Sequence, residues 1–127
     1  MRAALITKLG EPPSVADRPD IDPDDDDVPI TVLASALNPI DIAVGSGRFF
    51  AGHPPLPYVP GAEAVGRVMR DRPGFGAGTL VYAAGVSFGT GRDGGLAEQT
   101  FVEAHSAVEI LGPLGDLDEL HATPPDT

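Results

Sequence analysis

The chain has 127 residues, which suffice for one domain with a single hydrophobic core and are too few for two ordinary domains. Its net charge of −11 argues against nucleic acid and anionic membranes as partners, since both are bound through clustered Lys or Arg, and its apolar runs are too short to span a bilayer. It contains no Cys, which excludes disulfides and cysteine-ligated zinc and agrees with a cytoplasmic location.

Short runs of apolar and β-branched residues, separated by turn signals, recur along most of the chain. The 16 Gly and 14 Pro are spread between these runs, which indicates tight turns rather than disorder. A series of short strands joined by turns is typical of a barrel or a sandwich, so we predict a mainly β fold with one or two short helices. The predicted strands are Arg2–Thr7, Ser14–Arg18, Val28–Leu37, Ala62–Met69, Thr79–Ala84, Leu96–Val102 and Ala107–Leu111, and a single helical turn is predicted at Asp116–His121.

Between the second and third predicted strands lies a run of acidic residues, Asp20–Asp27. A calcium-binding EF-hand loop that began at Asp20 would need Gly at its sixth position and Glu at its twelfth. Those positions hold Asp25 and Thr31. We therefore interpret the run as a solvated acidic loop, which the repulsion between its charges keeps extended and mobile.

The stretch after the third predicted strand carries the signals of a short helix at both of its ends. Asn38 is a favoured N-cap, because its side-chain oxygen can accept an unpaired backbone N–H of the first turn. Pro39 then occupies the first helical position, and Asp41 places a negative charge at the positive end of the helix dipole. Gly45 and Gly47 are predicted to end the helix. Since Ile40 and Val44 are four residues apart, they are predicted to share one inward face.

Several segments in a fixed order also resemble a known family. The segments are Asn38–Asp41, Ser46–Phe49 and Leu56–Val68, preceded by Met1–Ala4 and followed by Gly94–Glu98. Together they are similar to the N-terminal, GroES-like domain of the medium-chain dehydrogenases/reductases, in the zinc-free branch that resembles quinone oxidoreductases. The resemblance covers the chain to about residue 110, and it implies a GroES-like β-barrel with a short helix after Asn38.

The resemblance also implies where the site lies. In the family, the short helix lines the cleft near the nicotinamide and the substrate. This agrees with the role of Asn38 and Asp41 as cap and dipole partner, because a capped helix is a rigid support for a polar group. Several relatives have Tyr where this chain has Ala43, and no catalytic acid or base is identified. The resemblance assigns cofactor binding to Asn38, Pro39 and Asp41 and the substrate cleft to Ile40, Val44, Phe50, Tyr58 and Glu63, although core packing is the simpler role for the aromatic residues.

No metal site is predicted. Zinc-dependent relatives have Gly-His-Glu where this chain has Gly61–Glu63, so that Ala62 replaces a metal-binding His. With no Cys near Asn38, two ligands of a tetrahedral site are missing. Glu63 is then either a hydrogen-bonding brace or a plain exposed side chain. The histidines are far apart in the sequence and are interpreted as surface or loop residues: His53, His105 and His121.

Complete members of the family hold NADPH or NADH in a Rossmann domain. We assign residues 1–115 to the barrel and residues 116–127 to a tail that leads towards a Rossmann domain absent from this chain. The implied function is the catalytic-side domain of a zinc-independent, NAD(P)H-dependent oxidoreductase of quinones or activated alkenes, which is incomplete without a cofactor domain that a separate gene could encode. The alternative is a standalone, non-catalytic GroES-like module that binds a partner or a small ligand.

Overall fold

The computed structural model describes residues 1–24, 26–85 and 87–110, which form short strands, turns and one α-helix. This architecture confirms the predicted mainly β, GroES-like fold. The strands are β1 (Arg2–Leu5), β2 (Ser14–Asp17), β3 (Asp27–Ala36), β4 (Glu63–Val68), β5 (Leu80–Ala84), β6 (Gln99–Glu103) and β7 (Ala107–Glu109). The helix α1 is Pro39–Gly45, and a 3-10 turn at Ala104–Ser106 precedes β7.

The strands form two antiparallel sheets. β1 pairs with β2, and the other strands form a curled sheet in the order β6-β3-β4-β5-β7. Along β4, Ala64 and Val68 are buried, whereas Glu63 and Val65 alternate with them on the outer face. The register pairs Val65 with Tyr82 of β5. Tyr82 therefore lies on the same outer face as Glu63.

The main hydrophobic core lies on the inner face of the larger sheet. Val28 and Ile30 of β3, Val81 of β5 and Val102 of β6 pack there against the buried ring of Phe88. Each fully buried side chain of this kind contributes about 1.5–3 kcal/mol relative to exposure. Two smaller clusters pack against the smaller sheet and beneath α1. The core thus holds the sheet and helix together and leaves the outer face of β3, β4 and β5 accessible.

The predicted strand at Leu96–Val102 begins later than expected, at Gln99. Its first residues pair with β1 instead: the N–H of Ala4 donates to the carbonyl of Leu96 at 2.9 Å, and Ala97 forms a bridge with Ala3. The segment crosses from one sheet to the other. Its apolar pattern is therefore continuous, although its first residues pair with β1 and its later residues pair with β3.

Some expectations fall outside the described residues. These are the helical turn at Asp116–His121, the last residue of the strand ending at Leu111, and the domain boundary at residue 115. In the ranges given above, no helix has both the length and the apolar character needed to cross a bilayer. Residues 20–24 of the acidic run form no helix or strand, and β3 begins at Asp27.

Candidate functional site

The N-terminus of α1 is held by a buried carboxylate. Asn38 has the extended backbone of an N-cap, with φ −115° and ψ 166°, and Pro39 follows at the start of the helix. Asp41 is only 5% exposed. Its carboxylate accepts the N–H of Asn38 at 2.8 Å and the N–H of Gly61 at 3.2 Å. Asp41 therefore fixes the start of the helix against the loop that leads into β4.

The contribution of Asn38 differs in part from the prediction. Asn38 and Asp41 occupy the two positions of a capping box, but the side chain of Asn38 makes no cap hydrogen bond, and the N–H of Asp41 donates to the backbone carbonyl of Asn38 at 2.9 Å. The Asn38 amide turns instead to the first residue of β4. Its Nδ2 donates to Oε1 of Glu63 at 3.0 Å. A carboxylate can only accept here, so this contact determines which end of the Asn38 amide faces Glu63.

Glu63 is held from a second side by Tyr82. The hydroxyl of Tyr82 donates to Oε2 of Glu63 at 2.6 Å. The hydrogen bonds from Asn38 and then Tyr82 lower the pKa of Glu63 below its ordinary value of 4.5, because they stabilise the ionised carboxylate. The same bond to Glu63 raises the pKa of Tyr82. The structure thus brings together Asn38, Glu63 and Tyr82, which we call the Glu63 cluster, and Glu63 is a hydrogen-bonded brace rather than a plain exposed side chain.

Tyr82 is the member of this cluster that the sequence interpretation missed. The alternation of β5 could have placed it on the outer face, since Val81 and Ala83 on either side of it are buried. Its position beside Glu63, however, depends on the pairing of β4 with β5.

A shallow hollow lies beside the Glu63 cluster on the outer sheet face. Its volume is about 210 Å³. Ala34 and Ala36, whose side chains are small and exposed, lie in it beside Glu63. The lining residues are Ala34, Ser35, Ala36, Glu63, Ala64, Val65 and Tyr82.

The remaining residues assigned to the substrate cleft divide between the core and the surface. Val44 and Tyr58 are buried together with Ile6 beneath α1. Ile40 is 37% exposed and Phe50 is 94% exposed. The prediction that Ile40 shares an inward face with Val44 is therefore wrong, because the buried side of this short helix passes through Asp41 and Val44 instead.

Tyr58 is unusual among these buried residues. It is 1% exposed, and within the described ranges its hydroxyl has no hydrogen-bond partner. Burial, and then the charge of Asp41, raise the pKa of Tyr58, since both disfavour a second negative charge under α1. Its position supports core packing for this aromatic ring.

A second groove runs between α1 and the turn after β1. Its volume is about 360 Å³, and its walls are mainly apolar. Asp41 and Gly45 of α1 form part of one wall, and Pro12 and Pro13 face them. The groove and the hollow thus flank the same helix N-terminus. Over the part of the chain that the structure describes, no three His, Cys, Asp or Glu side chains form a group that could hold a metal ion.

We predict that Tyr82→Phe raises the pKa of Glu63, because it removes one of the two hydrogen bonds that stabilise the carboxylate. The folded-state pKa of Glu63 is below its unfolded value, so its contribution to stability is present above about pH 4.5 and is lost as the pH falls through the folded pKa. The free energy of unfolding of the variant should therefore fall less as the pH is lowered. NMR titration of the Glu63 carboxyl carbon measures the pKa directly.

Tyr58→Phe is the matched control, since the hydroxyl it removes makes no hydrogen bond with any residue that the structure describes. It should leave the pKa of Glu63 unchanged. An unchanged pKa in Tyr82→Phe as well would show that the bond between Tyr82 and Glu63 is not maintained in solution.

Known proteins are similar to this chain in both sequence and fold. Residues 24–112 match the family model described as "Alcohol dehydrogenase GroES-like domain". A 2-methylene-furan-3-one reductase from Solanum lycopersicum is 38% identical over 85 residues, which are 62% of this chain and 22% of the reductase. A quinone oxidoreductase from Lama guanicoe is 28% identical over 120 residues, or 90% of this chain and 34% of that protein.

Solved structures agree with these matches. The quinone oxidoreductase of Thermus thermophilus, which was also solved in complex with NADPH, superposes with a TM-score of 0.72 at 27% identity. The superposition covers 98% of this chain and 37% of that structure. The chain therefore spans only about a third or less of the length of these relatives.

Proposed function

The chain belongs to the alcohol dehydrogenase GroES-like domain family, in the quinone-oxidoreductase-like branch of the medium-chain dehydrogenases/reductases, and from that premise we propose a function for it. It acts as the catalytic-side domain of a zinc-independent, NADPH-dependent oxidoreductase that reduces quinones or activated alkenes in the cytoplasm. The observation that carries this proposal is the family match over residues 24–112, which contains both α1 and the Glu63 cluster. The named activities of the relatives, on a quinone and on a 2-methylene-furan-3-one, supply the substrate class.

The residues of α1 supply positioning. When bound, NADPH would supply the hydride, and the protein must hold its ring against the acceptor. Asn38, Pro39 and Asp41 are the residues proposed to lie beside the ring. Asp41 supports this role because its two hydrogen bonds hold the helix N-terminus rigidly, and Glu63 supports it because it orients the Asn38 amide.

The proposal includes a cofactor-binding domain, either in the same polypeptide or encoded separately. The chain corresponds to about a third of the quinone oxidoreductases it matches. Its net charge of −11 repels the phosphates of NADPH, so a second domain is needed to bind that end of the cofactor. The reaction proceeds without zinc in this proposal, which rests on the absence of Cys and on Ala62 in the position of a metal-binding His.

The experiment follows the loss of NADPH absorbance with a simple quinone or an enone. The 127-residue chain is assayed alone, mixed with any cofactor domain encoded next to it, and in the presence of a metal chelator. We expect turnover only in the mixture, because correct orientation of the two reactants accounts for about 7–11 kcal/mol of the barrier. The chelator should not lower the rate.

The controls separate this proposal from its alternative. Asn38→Ala should slow the reaction in the mixture, whereas Lys8→Ala, at an exposed position paired with Glu11, should not. Turnover by the chain alone would contradict the need for a second domain, and inhibition by the chelator would contradict zinc independence. A stable mixture without turnover on any quinone or enone would favour the non-catalytic binding module.

A further inference from the structure

Glu63 carries a negative charge that no cation neutralises within the described part of the chain. The ion pairs found there join other residues, and none includes Glu63. The two groups that hold it, the Asn38 amide and the Tyr82 hydroxyl, are both neutral donors. Each carboxylate oxygen accepts one of these bonds and keeps a second lone pair. The carboxylate is therefore ionised, fixed in direction and able to accept a further partner.

The surroundings of this carboxylate suit a flat group. The floor beside it includes the exposed Ala34 and Ala36 of β3, whose short side chains leave the surface shallow, whereas Ala64 of β4 directs its side chain into the core. Tyr82 is 37% exposed and lines the same hollow. An aromatic ring attracts a cation placed over its face. A carboxylate, an aromatic ring and a shallow apolar floor meet at one place.

We propose that this hollow binds a flat, positively charged ring, and that Tyr82 positions Glu63 for it. This inference rests on the proposed function and deepens it. A nicotinamide ring is neutral in NADPH and carries one positive charge after it has given up its hydride. The Glu63 cluster would then bind the charged ring of the oxidised cofactor more tightly than the neutral ring of NADPH.

Three small probes of the same shape test the inference without phosphates and without turnover. They are 1-methylnicotinamide, which is a cation, nicotinamide, which is neutral, and nicotinate, which is an anion. Binding to the 127-residue chain is followed by NMR through the backbone amide signals of Ala34, Ala36, Glu63 and Val65. We expect the cation to bind at least about fivefold more tightly than the neutral ring at low salt. Nicotinate should bind more weakly than both.

Salt dependence and substitutions test whether the charge of Glu63 causes the preference for the cation. The advantage of the cation should shrink as the salt concentration rises, since salt screens charges at exposed sites. Glu63→Gln should abolish the preference for the cation, whereas Glu11→Gln makes the same change in net charge outside the hollow and should preserve it. Tyr82→Phe keeps the charge of Glu63 but frees its Oε2, so it should weaken binding of the cation while a preference over nicotinamide remains.

Several results would overturn the inference. Equal binding of the charged and neutral rings to the unaltered chain would do so, even if the variants fail to fold. NMR signal changes confined to other parts of the chain would contradict the proposed location of the site. An equal effect of Glu11→Gln and Glu63→Gln would show that the preference for the cation comes from net charge alone. Turnover in the two-domain mixture without any ring preference would refute this inference alone. A ring preference without turnover would support the site and count against the proposed reaction.

Discussion

Asp41→Ala is expected to lower the free energy of unfolding by about 2–4 kcal/mol, because it leaves one buried and one partly buried donor without their acceptor. These are the backbone N–H groups of Asn38 and Gly61, which the carboxylate now holds at 2.8 and 3.2 Å. A buried donor that loses its partner costs about 1–3 kcal/mol. The loss also frees the start of α1 from the loop before β4. Urea denaturation followed by circular dichroism measures the change.

Two further variants separate this mechanism from a simple loss of charge. Asp41→Asn keeps one acceptor oxygen and should cost less than Asp41→Ala. Asp22→Ala removes a charge from the acidic run, where the chain forms no helix or strand, and should change the unfolding free energy by less than about 0.5 kcal/mol. If Asp41→Ala cost no more than Asp22→Ala, the two hydrogen bonds would contribute nothing to stability.

Gly94→Ala is expected to destabilise the chain by at least about 3 kcal/mol, because there is no space for a methyl group. A Cβ at Gly94 would overlap the carbonyl oxygen of Gly61 and lie 2.8 Å from the Cα of Gly89. These are backbone atoms, which cannot turn aside as a flexible side chain can. The N–H of Gly94 also donates to the carbonyl of Val59 at 2.7 Å, so the segment cannot move away without breaking this bond. Thermal and urea unfolding provide the measurement.

Gly76→Ala is the matched control, since a Cβ there would meet only Oγ1 of Thr79 at 3.8 Å. It should alter the unfolding free energy by no more than about 0.5 kcal/mol. Gly94→Ala should also disturb the site, because Gly61 donates to Asp41 and precedes Glu63 by two residues. If Gly94→Ala retained wild-type stability, the segments that contain Gly94 and Gly61 would be farther apart in solution than in the structure.

The sequence by itself determined the elements whose cause is local. The helix α1 begins after Asn38 with Pro39 and ends at Gly45, because the proline, the Asp41 carboxylate on the Asn38 N–H and the glycine act on the backbone within a few positions of themselves. The strands β3, β4 and β5 were predicted to within two residues, since alternating apolar residues record which face of a strand is buried. The ordered motifs between Met1 and Glu98 identified the family for a similar reason, since recognising them requires only the order of residues and no knowledge of tertiary contacts.

Tertiary structure decided which side chains meet. Asn38 and Glu63 are 25 residues apart and Glu63 and Tyr82 are 19 apart, and only the position of α1 and the pairing of β4 with β5 bring them together. The sequence interpretation consequently missed Tyr82 and predicted the wrong face for Ile40, whose helix is too short for its periodicity to show which side is buried. A hydrogen bond between distant side chains depends on strand register and on helix packing. Neither is recorded in the local pattern of residues, since both result from how the whole core packs.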